Sequence, residues 1–303
     1  MGFDPGTGRI WLRRAMIALV AAGIGAKASA ATQWLGSPPY GITISTHISH
    51  RGQAVEGSIL LPFEHDAPCA ITVSTSGAGG EVNAKKGPAY SRSERYRWDF
   101  DRAMDIFRAE TDGSNLVRLT DTPGYDAEGS YSPDGKQIIF TSFRDGDAEI
   151  YIMDADGKNP RRITRKPGYD GGPFFSPDGA RIVYRSDRKQ NDLLQVFLNT
   201  PDGSAERPLT DNNAVNWGPY FFRDSRHIVY STSLHGHQNY EIYWMDTRTG
   251  KQERITYREG FDALPVFSND GRKLMWTSKG RTADNTSQLF IADFTEAMVD
   301  DSH

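Results

Sequence analysis

Short runs of β-branched and aromatic residues recur along the chain, and each is bounded by polar turn residues. Ile138–Ser142 and Ile182–Ser186 are two such runs, and Glu149–Asp154 is interpreted as a strand whose residues point alternately outward and inward, with a period of two. A period of two predicts half-buried β-strands, whereas helices would need apolar positions spaced by 3.6 residues. The pattern therefore predicts an all-β protein built from short strands.

The strands belong to a repeat with a period in the mid-forties. A turn sequence recurs at spacings of 44, 46 and 46 residues, a Leu/Ile-Thr pair keeps the same phase, and so does an acidic or Gln residue followed by an apolar-aromatic pair. The turns begin at Ser132, Ser176, Phe222 and Ser268, the Thr residues of the pairs are Thr120, Thr164, Thr210 and Thr256, and the third marker begins at Asp105, Glu149, Gln195, Glu241 and Gln288. Three markers in one phase identify an internal repeat.

Each repeat is interpreted as four antiparallel strands, a to d in chain order. The turn between strands a and b contains Pro, which presets φ, and Gly, which accepts a positive φ. Four short antiparallel strands repeated at this length are typical of β-propeller blades.

The Ser-Pro-Asp-Gly turn, the Asp/Glu-Ile-Tyr strand and the Leu/Ile-Thr pair resemble the TolB-like β-propeller repeat family, over about residues 100–294. That family also includes propellers attached to peptidases and to sugar lyases, so the resemblance implies architecture more directly than function. Propellers of the family usually have six blades.

Counting repeats predicts five four-stranded blades, with six as the alternative. The blades are expected at about 52–120, 124–164, 168–210, 214–256 and 260–294, and the first carries an inserted loop near 76–96. The last blade lacks a strand d, and an open sheet edge is a liability. We therefore expect Gly41–Thr46, within an N-terminal segment 31–51, to complete that blade, and residues 295–303 to form a disordered tail.

The N-terminus predicts export. Arg13 and Arg14 precede an uncharged run to Ala26, and Ala28-Ser29-Ala30 offers a cleavage site, which is the order of a secretory signal. Residues 1–30 are therefore expected to be a signal peptide, too short in its apolar part to span a bilayer, and the mature chain is expected in the periplasm or outside the cell. A retained N-terminal anchor helix is the alternative.

The net charge of the mature chain indicates which partners it disfavours, and the cysteine content bears on disulfide formation. Removing residues 1–30 leaves a net charge of −7, which disfavours nucleic acid and anionic lipid. Cys69 is the single cysteine, so no intrachain disulfide can form. We expect a monomer without stable membrane insertion that binds an envelope protein or peptide.

Candidate binding residues lie in the connections that face one side of a propeller. Strand a is innermost, so the d–a loops should surround the channel mouth, with the sequence-equivalent residues Asp126, Asp170, Asn216 and Asp262 beside the aromatic residues Tyr125, Tyr169 and Phe261. Two interpretations stay open: the acids receive a peptide or a cation such as Ca²⁺, or they cap their own turns through backbone N–H groups.

The b–c loops vary most and face the same side, where specificity usually resides. Arg144, Arg188 and His235 stand at similar places and could meet an acidic partner, or they are solvated loop charges. His235 and His237 form a weak alternative metal site, because no third ligand can be placed beside them.

No catalytic signature appears in the sequence: there is no Gly-x-Ser-x-Gly motif, and the Gly77–Gly80 cluster lacks a following helix. The sequence predicts a non-catalytic binding module without a cofactor. The alternative is a metal-dependent carbohydrate-active enzyme, similar to the oligosaccharide lyases with this repeat.

Overall fold

The structure is a computed structural model, and it describes residues 42–50, 53–61, 70–76, 100, 104–110, 115–279 and 287–296. These residues form twenty β-strands, and no helix occurs among them. The described residues up to Ala127 belong to one compact unit and those from Glu128 onward to a second. The predicted signal peptide, the inserted loop, Cys69 and the last residues of the tail lie outside the described ranges.

The first sheet has five antiparallel strands in chain order. They are β1 (Ile42–His50), β2 (Gln53–Leu61), β3 (Ala70–Ser76), β4 (Met104–Glu110) and β5 (Val117–Arg118).

Four further sheets follow, again with neighbouring strands consecutive in the chain. The second sheet is β6 (Asp126–Tyr131), β7 (Gln137–Ser142), β8 (Glu149–Asp154) and β9 (Arg161–Arg162). The third is β10 (Asp170–Phe175), β11 (Ile182–Ser186), β12 (Gln195–Asn199) and β13 (Arg207–Pro208). The fourth is β14 (Asn216–Phe221), β15 (His227–Thr232), β16 (Glu241–Asp246) and β17 (Gln252–Arg254). The fifth is β18 (Phe261–Phe267), β19 (Lys273–Lys279) and β20 (Ser287–Asp293).

The predicted closing strand is placed differently. Ile42–His50 pairs along its whole length with Gln53–Leu61, from Ile42 opposite Leu61 to His50 opposite Gln53, instead of joining β20 in the fifth sheet. Pairing with the adjacent segment closes a far shorter loop than pairing with residues near 290, so its entropic cost is lower. The number of blades and the domain limits remain predictions.

Within the second unit, the third and fourth sheets each bury one face against the sheet before and the other against the sheet after. In β11, Ile182 and Tyr184 pack toward the second sheet, whereas Val183 between them packs toward the fourth. Because successive side chains of a strand point to opposite faces, alternate residues of β11 pack against two different sheets. The interface of the fourth and fifth sheets is the most aromatic and contains Phe222, Trp244, Phe267, Leu274 and Phe294.

The a–b turns are held by a side-chain bond within the turn. The Ser132 hydroxyl donates to Asp134 Oδ1 at 2.6 Å, and Gly135 has a φ of +70°. In the fourth sheet Ser225 takes the glycine position with a φ of +59°, which is uncommon for a residue with a Cβ. Its hydroxyl accepts the backbone N–H of Asp178 at 2.9 Å and so links the turns of the third and fourth sheets.

The Leu/Ile-Thr marker closes strand d onto strand c. The Thr164 hydroxyl accepts the buried N–H of Ile150 at 2.9 Å. The same bond is made in three other sheets, by Thr120 to Ile106, Thr210 to Val196 and Thr256 to Ile242.

A buried acid at the start of strand c is paired with an Arg of strand d. Glu241 pairs with Arg254, and Glu149 pairs with Arg162. In the third sheet Pro208 stands where the Arg would be, and the acid is replaced by neutral Gln195. A buried carboxylate without a counterion is costly, so the two residues change together.

Successive sheets of the second unit are also joined through the main chain. The N–H of Asp170 donates to the carbonyl of Ala148, which directly precedes β8. Asn216 donates to Leu194 and Asp262 donates to Tyr240 in the same way, at 2.8 and 2.9 Å.

Candidate interaction surface

The four residues predicted at the channel mouth lie at the start of the first strand of their sheets, and all four are buried. They are Asp126, Asp170, Asn216 and Asp262. Because these residues are buried, they are not exposed to solvent at a channel mouth. Whether they bind a ligand stays a prediction.

Asp170 is held by Arg188 instead of capping its turn. Arg188 Nη2 donates to both carboxylate oxygens at 2.9 and 2.8 Å, and its Nη1 pairs with Glu206 at 2.6 Å. Burial raises the pKa of Asp170 to about 6 against the opposing effect of Arg188, so the carboxylate is ionised at neutral pH. The guanidinium also lies over the Phe197 ring at 4.5 Å. Arg188 must therefore break these contacts before it can meet an acidic partner.

Arg144 occupies the equivalent place in the second sheet. Its Nε donates to the Ser142 hydroxyl at 2.8 Å, and the guanidinium lies over the Tyr151 ring at 4.7 Å. The two arginines thus share a stacked position two residues after the last Ser of strand b.

The fourth sheet breaks this pattern. Leu234 stands two residues after Thr232, where the second and third sheets have Arg, and Asn216 replaces Asp. The Asn216 amide donates to Gln195, Asn212 and Ala214, whereas its buried Oδ1 has no hydrogen-bond partner among the described residues. Leu234 is 44% exposed. The loss of the Arg leaves an apolar side chain in its place.

His235 therefore corresponds to Asp145, not to the two arginines as the sequence suggested. Its Nε2 lies 2.8 Å from the Tyr243 hydroxyl, in the place where Asp145 contacts the Tyr151 hydroxyl. His237 contacts a different tyrosine, with Nδ1 3.2 Å from the hydroxyl of Tyr240. The described residues contain no group of three or more His, Cys, Asp or Glu placed to hold a metal ion, and a metal or Ca²⁺ site stays untested.

Two of the predicted aromatic residues are brought together. Tyr169 and Phe261 pack against a cluster formed by Leu194, Trp217, Tyr240 and Ala263. Trp217, which the sequence analysis did not single out, lies between them, with its ring centroid 6.1 Å from that of Phe261. Tyr125 lies in the first unit, where it contacts Phe100 edge to face at 5.1 Å.

Sequence reasoning missed a row of left-handed residues two positions after the mouth residues. We call it the bulge row: Glu128, Gly172, Gly218 and Leu264, with φ of +57°, +59°, +59° and +56°. The register of the a–b pairing shifts at this position in the third, fourth and fifth sheets, which marks a β-bulge. The Gly-Pro pairs at 172–173 and 218–219 were the available signal.

Glu128 holds its strained position through four contacts. Its Oε2 accepts from Thr141 at 2.9 Å, from the Tyr169 hydroxyl at 3.0 Å and from the N–H of Gly172 at 2.7 Å, and its Oε1 pairs with Arg185. Burial raises the pKa of Glu128, but Arg185 and the hydrogen bonds outweigh burial and hold the pKa below its usual value. The carboxylate is therefore ionised, and both of its oxygens are bound by groups of this protein.

Leu264, at the other end of the row, has no such set of polar contacts. Its N–H donates to the Ser231 hydroxyl at 3.1 Å, as the N–H of Gly172 donates to Thr141. The side chain lies beside Gly218 and is 38% exposed. The row is thus charged at one end and apolar at the other, with bare glycine backbone between them.

Comparison with known proteins agrees with this architecture. Residues 99–199 match the family model of the Tricorn protease N-terminal beta propeller domain. The Tol-Pal system proteins TolB of Bordetella pertussis and Bordetella parapertussis are each 54% identical to this chain over 39 residues, which is 13% of the chain and 9% of each relative.

Solved structures match a larger share of this chain. TolB from Acinetobacter baumannii superposes with a TM-score of 0.57 at 21% identity, covering 63% of this chain and 47% of that chain. A TolB-assigned structure from Agrobacterium tumefaciens gives 0.54 at 17% identity, covering 86% and 92%. At these identities the likeness shows the fold.

The protein is therefore an all-β protein of the β-propeller class. Its repeats are similar to those of TolB proteins, with which it shares the 39-residue match and the fold. In the part of the chain that the structure describes, no helix has the length and apolarity needed to cross a lipid bilayer.

Proposed function

We propose that this chain is a non-catalytic interaction module of the bacterial envelope, which acts in the periplasm and binds an envelope protein. The observation that carries the proposal is the similarity to Tol-Pal system proteins TolB in sequence and to TolB in fold. The departure of the fourth and fifth sheets from the repeat supports it, because Leu234 stands where two other sheets have Arg, Leu264 stands where two other sheets have Gly, and both expose apolar surface. Specificity on a repeat scaffold is expected where the repeat is broken.

The partner protein is tested directly with the Pal protein of a Tol-Pal system. The chain without residues 1–30 is immobilised, and the binding of purified Pal is measured by biolayer interferometry. We expect saturable binding that Leu234→Asp weakens. Lys136→Ala, an exposed substitution in an a–b turn of the second sheet, is the matched control and leaves binding unchanged. Absence of Pal binding to the unsubstituted chain contradicts the proposed partner.

The location is tested separately. The full chain is expressed in a Gram-negative host, and the periplasmic fraction is analysed by intact mass spectrometry. The expected mass corresponds to cleavage after Ala30, and a cytoplasmic, uncleaved product contradicts the proposed export.

A further inference from the structure

The third sheet binds its own arginine through two aromatic rings and two carboxylates. The Arg188 guanidinium lies 4.5 Å from the ring centre of Phe197 and 5.9 Å from that of Tyr184. Its Nη2 donates to Asp170, and its Nη1 pairs with Glu206. Glu206 also accepts the Tyr184 hydroxyl at 2.5 Å, so the rings and the acids form one connected site.

The second sheet repeats the contact between guanidinium and rings. The Arg144 guanidinium lies 4.7 Å from the ring centre of Tyr151 and 5.2 Å from that of Phe140. A guanidinium is planar, so it can stack on a ring while its edge still donates hydrogen bonds. Two sheets thus place an arginine of the b–c loop over the aromatic residues of strands b and c.

The fourth sheet keeps the rings and loses the charges. The residues equivalent to those of the third sheet lie 46 positions further along the chain, and they are Tyr230, Tyr243, Leu234, Asn216 and Gln252. The two ring centres are 6.0 Å apart, against 5.8 Å in the third sheet. The Tyr230 hydroxyl donates to Gln252 Oε1 at 2.5 Å, which is the same bond with an amide in place of the acid. Leucine therefore replaces the arginine, and amides replace both carboxylates, in an aromatic frame that is unchanged.

One acceptor of this frame is not satisfied within the fold. Asn216 is fully buried, and its Oδ1 has no hydrogen-bond partner among the described residues. In the third sheet the equivalent carboxylate of Asp170 is the group that accepts from the guanidinium. A buried acceptor without a hydrogen bond is costly, and Leu234 has no donor to offer it. The oxygen thus marks the fourth sheet as a place for a hydrogen-bond donor from outside the chain.

His235 does not take the place of the arginine. Its ring centre is 6.1 Å from that of Tyr243, farther than the 4.5 and 4.7 Å that separate guanidinium and ring in the other two sheets. Its Nε2 lies 2.8 Å from the Tyr243 hydroxyl. The histidine therefore lies beside the hydroxyl end of the ring.

We propose that the fourth sheet binds the guanidinium group of a ligand at the position that Arg188 takes in the third sheet. The group stacks on the rings of Tyr230 and Tyr243 and donates a hydrogen bond to Asn216 Oδ1. An ammonium group lacks the planar face, and a neutral group lacks the attraction of a cation to the rings. This inference goes beyond the proposed function, because it concerns a ligand that is tested without Pal.

The charge of the site and of the chain decides how tightly the ligand is held. The chain has a net charge of −4, which attracts cations, but the amides of Asn216 and Gln252 supply no counterion. Leu234 is 44% exposed, so the bound cation keeps part of its hydration. We therefore expect weak and reversible binding. The guanidinium can come from free arginine or from an arginine side chain of a protein segment.

The test is a heteronuclear NMR titration of the chain without residues 1–30. The probes are L-arginine and the blocked tripeptide Ala-Arg-Ala, with the same tripeptide carrying lysine or citrulline in place of arginine. We expect a saturable shift of the Asn216 side-chain amide signal, and about tenfold weaker binding of the lysine and citrulline tripeptides. Binding of L-arginine identifies a site that accepts the free amino acid, whereas binding of the tripeptide alone identifies a site for a protein segment.

Three variants connect the binding to this site. Gln252→Glu restores the acid of the third sheet and keeps the acceptor for Tyr230, so it should tighten binding of the arginine tripeptide about fivefold. Leu234→Arg supplies an internal guanidinium, as in the second and third sheets, and should abolish binding. Leu289→Arg, which adds the same charge at an exposed leucine of β20, is the matched control and should bind as the wild type does.

The urea midpoint of Leu234→Arg separates competition from misfolding, and it should equal or exceed that of the wild type. No saturable shift at Asn216, equal binding of the arginine and citrulline tripeptides, or undiminished binding by a folded Leu234→Arg overturns the inference. If Leu234→Arg does not fold, the exposed and isosteric Gln252→Glu decides, and unchanged affinity in that variant overturns the inference. Pal binding is measured separately, so each proposal fails on its own result.

Discussion

The guanidinium of Arg254 donates a hydrogen bond to the buried carboxylate of Glu241 at 2.7 Å. The Glu241 side chain has no solvent exposure, so removal of the Arg leaves a buried charge unpaired. We expect Arg254→Ala to lower the free energy of unfolding by about 3 kcal/mol in urea denaturation.

The third sheet supplies the control for this prediction, since it has Gln195 and Pro208 in place of the acid and the Arg. The double variant Glu241→Gln/Arg254→Ala should be more stable than Arg254→Ala, with a coupling energy of about 1 kcal/mol or more. Additive effects in the double-mutant cycle would show that the pair is not coupled.

Gly172 lies under the side chain of Arg185. A Cβ at this position would collide with the guanidinium, and the φ of +59° already disfavours any side chain. Gly172→Ala should therefore lower the free energy of unfolding by about 3 kcal/mol, because it combines backbone strain with disruption of the Glu128–Arg185 pair.

Gly146→Ala is the matched control for Gly172→Ala. Its φ is +89°, but nothing lies within 4 Å of the added Cβ, so only strain of about 1 kcal/mol is expected. Equal losses in the two variants, measured as urea midpoints, would contradict the role of the Arg185 contact.

The Thr210 hydroxyl accepts the N–H of Val196 at 2.8 Å in a fully buried position. Thr210→Val keeps the shape of the side chain and removes the acceptor, so it should cost about 2 kcal/mol in thermal or chemical denaturation. The half-buried Thr200, which bonds within its own c–d turn and the residues beside it, provides Thr200→Val as a control with a smaller loss.

Asp224 gives the stability a dependence on acid pH. Burial raises the pKa of this carboxyl, but hydrogen bonds from the His227 ring and from the N–H groups of His227 and Arg226 outweigh burial and lower it to about 2. A carboxyl whose folded pKa is depressed stabilises the protein above the unfolded pKa near 4, and this stabilisation is lost as the pH falls toward 2. Because the side chain is about one-third exposed, we expect the ionised carboxylate to add only about 1 kcal/mol to the free energy of unfolding.

Unfolding at pH 5, 3.5 and 2.5 measures this contribution. Asp224→Ala should be less stable than the wild type at pH 5, and the difference between the two proteins should shrink as the pH falls to 2.5. A constant difference between the two proteins across this range would contradict the prediction.

The repeat markers predicted the strands well because each marker has a local physical cause. The Ser132–Asp134 bond makes its turn, and the Thr164 hydroxyl satisfies a buried N–H, so both are visible as sequence at a fixed spacing. The placement of Ile42–His50 was predicted wrongly, because the prediction weighed the open edge of the last repeat and not the short loop to Gln53–Leu61.

The candidate surface was harder to predict, because its residues depend on contacts between sheets. Glu128 and Arg185 are 57 residues apart, and nothing local to Glu128 signals a left-handed backbone. Arg188 was predicted either to meet an acidic partner or to be a solvated loop charge, whereas Asp170 and Glu206 hold it from two sides. The sequence showed which positions are equivalent, and the structure shows at which of them the equivalence fails.

The main-chain bond from Asp170 to Ala148, and its counterparts at Asn216 and Asp262, give the second unit a mechanical property. A cut between two repeats leaves the carbonyl before strand c of one sheet and the N–H at the start of strand a of the next sheet without their partners. The repeats of the second unit are therefore not independent of one another, and this part of the molecule should unfold in a single cooperative transition.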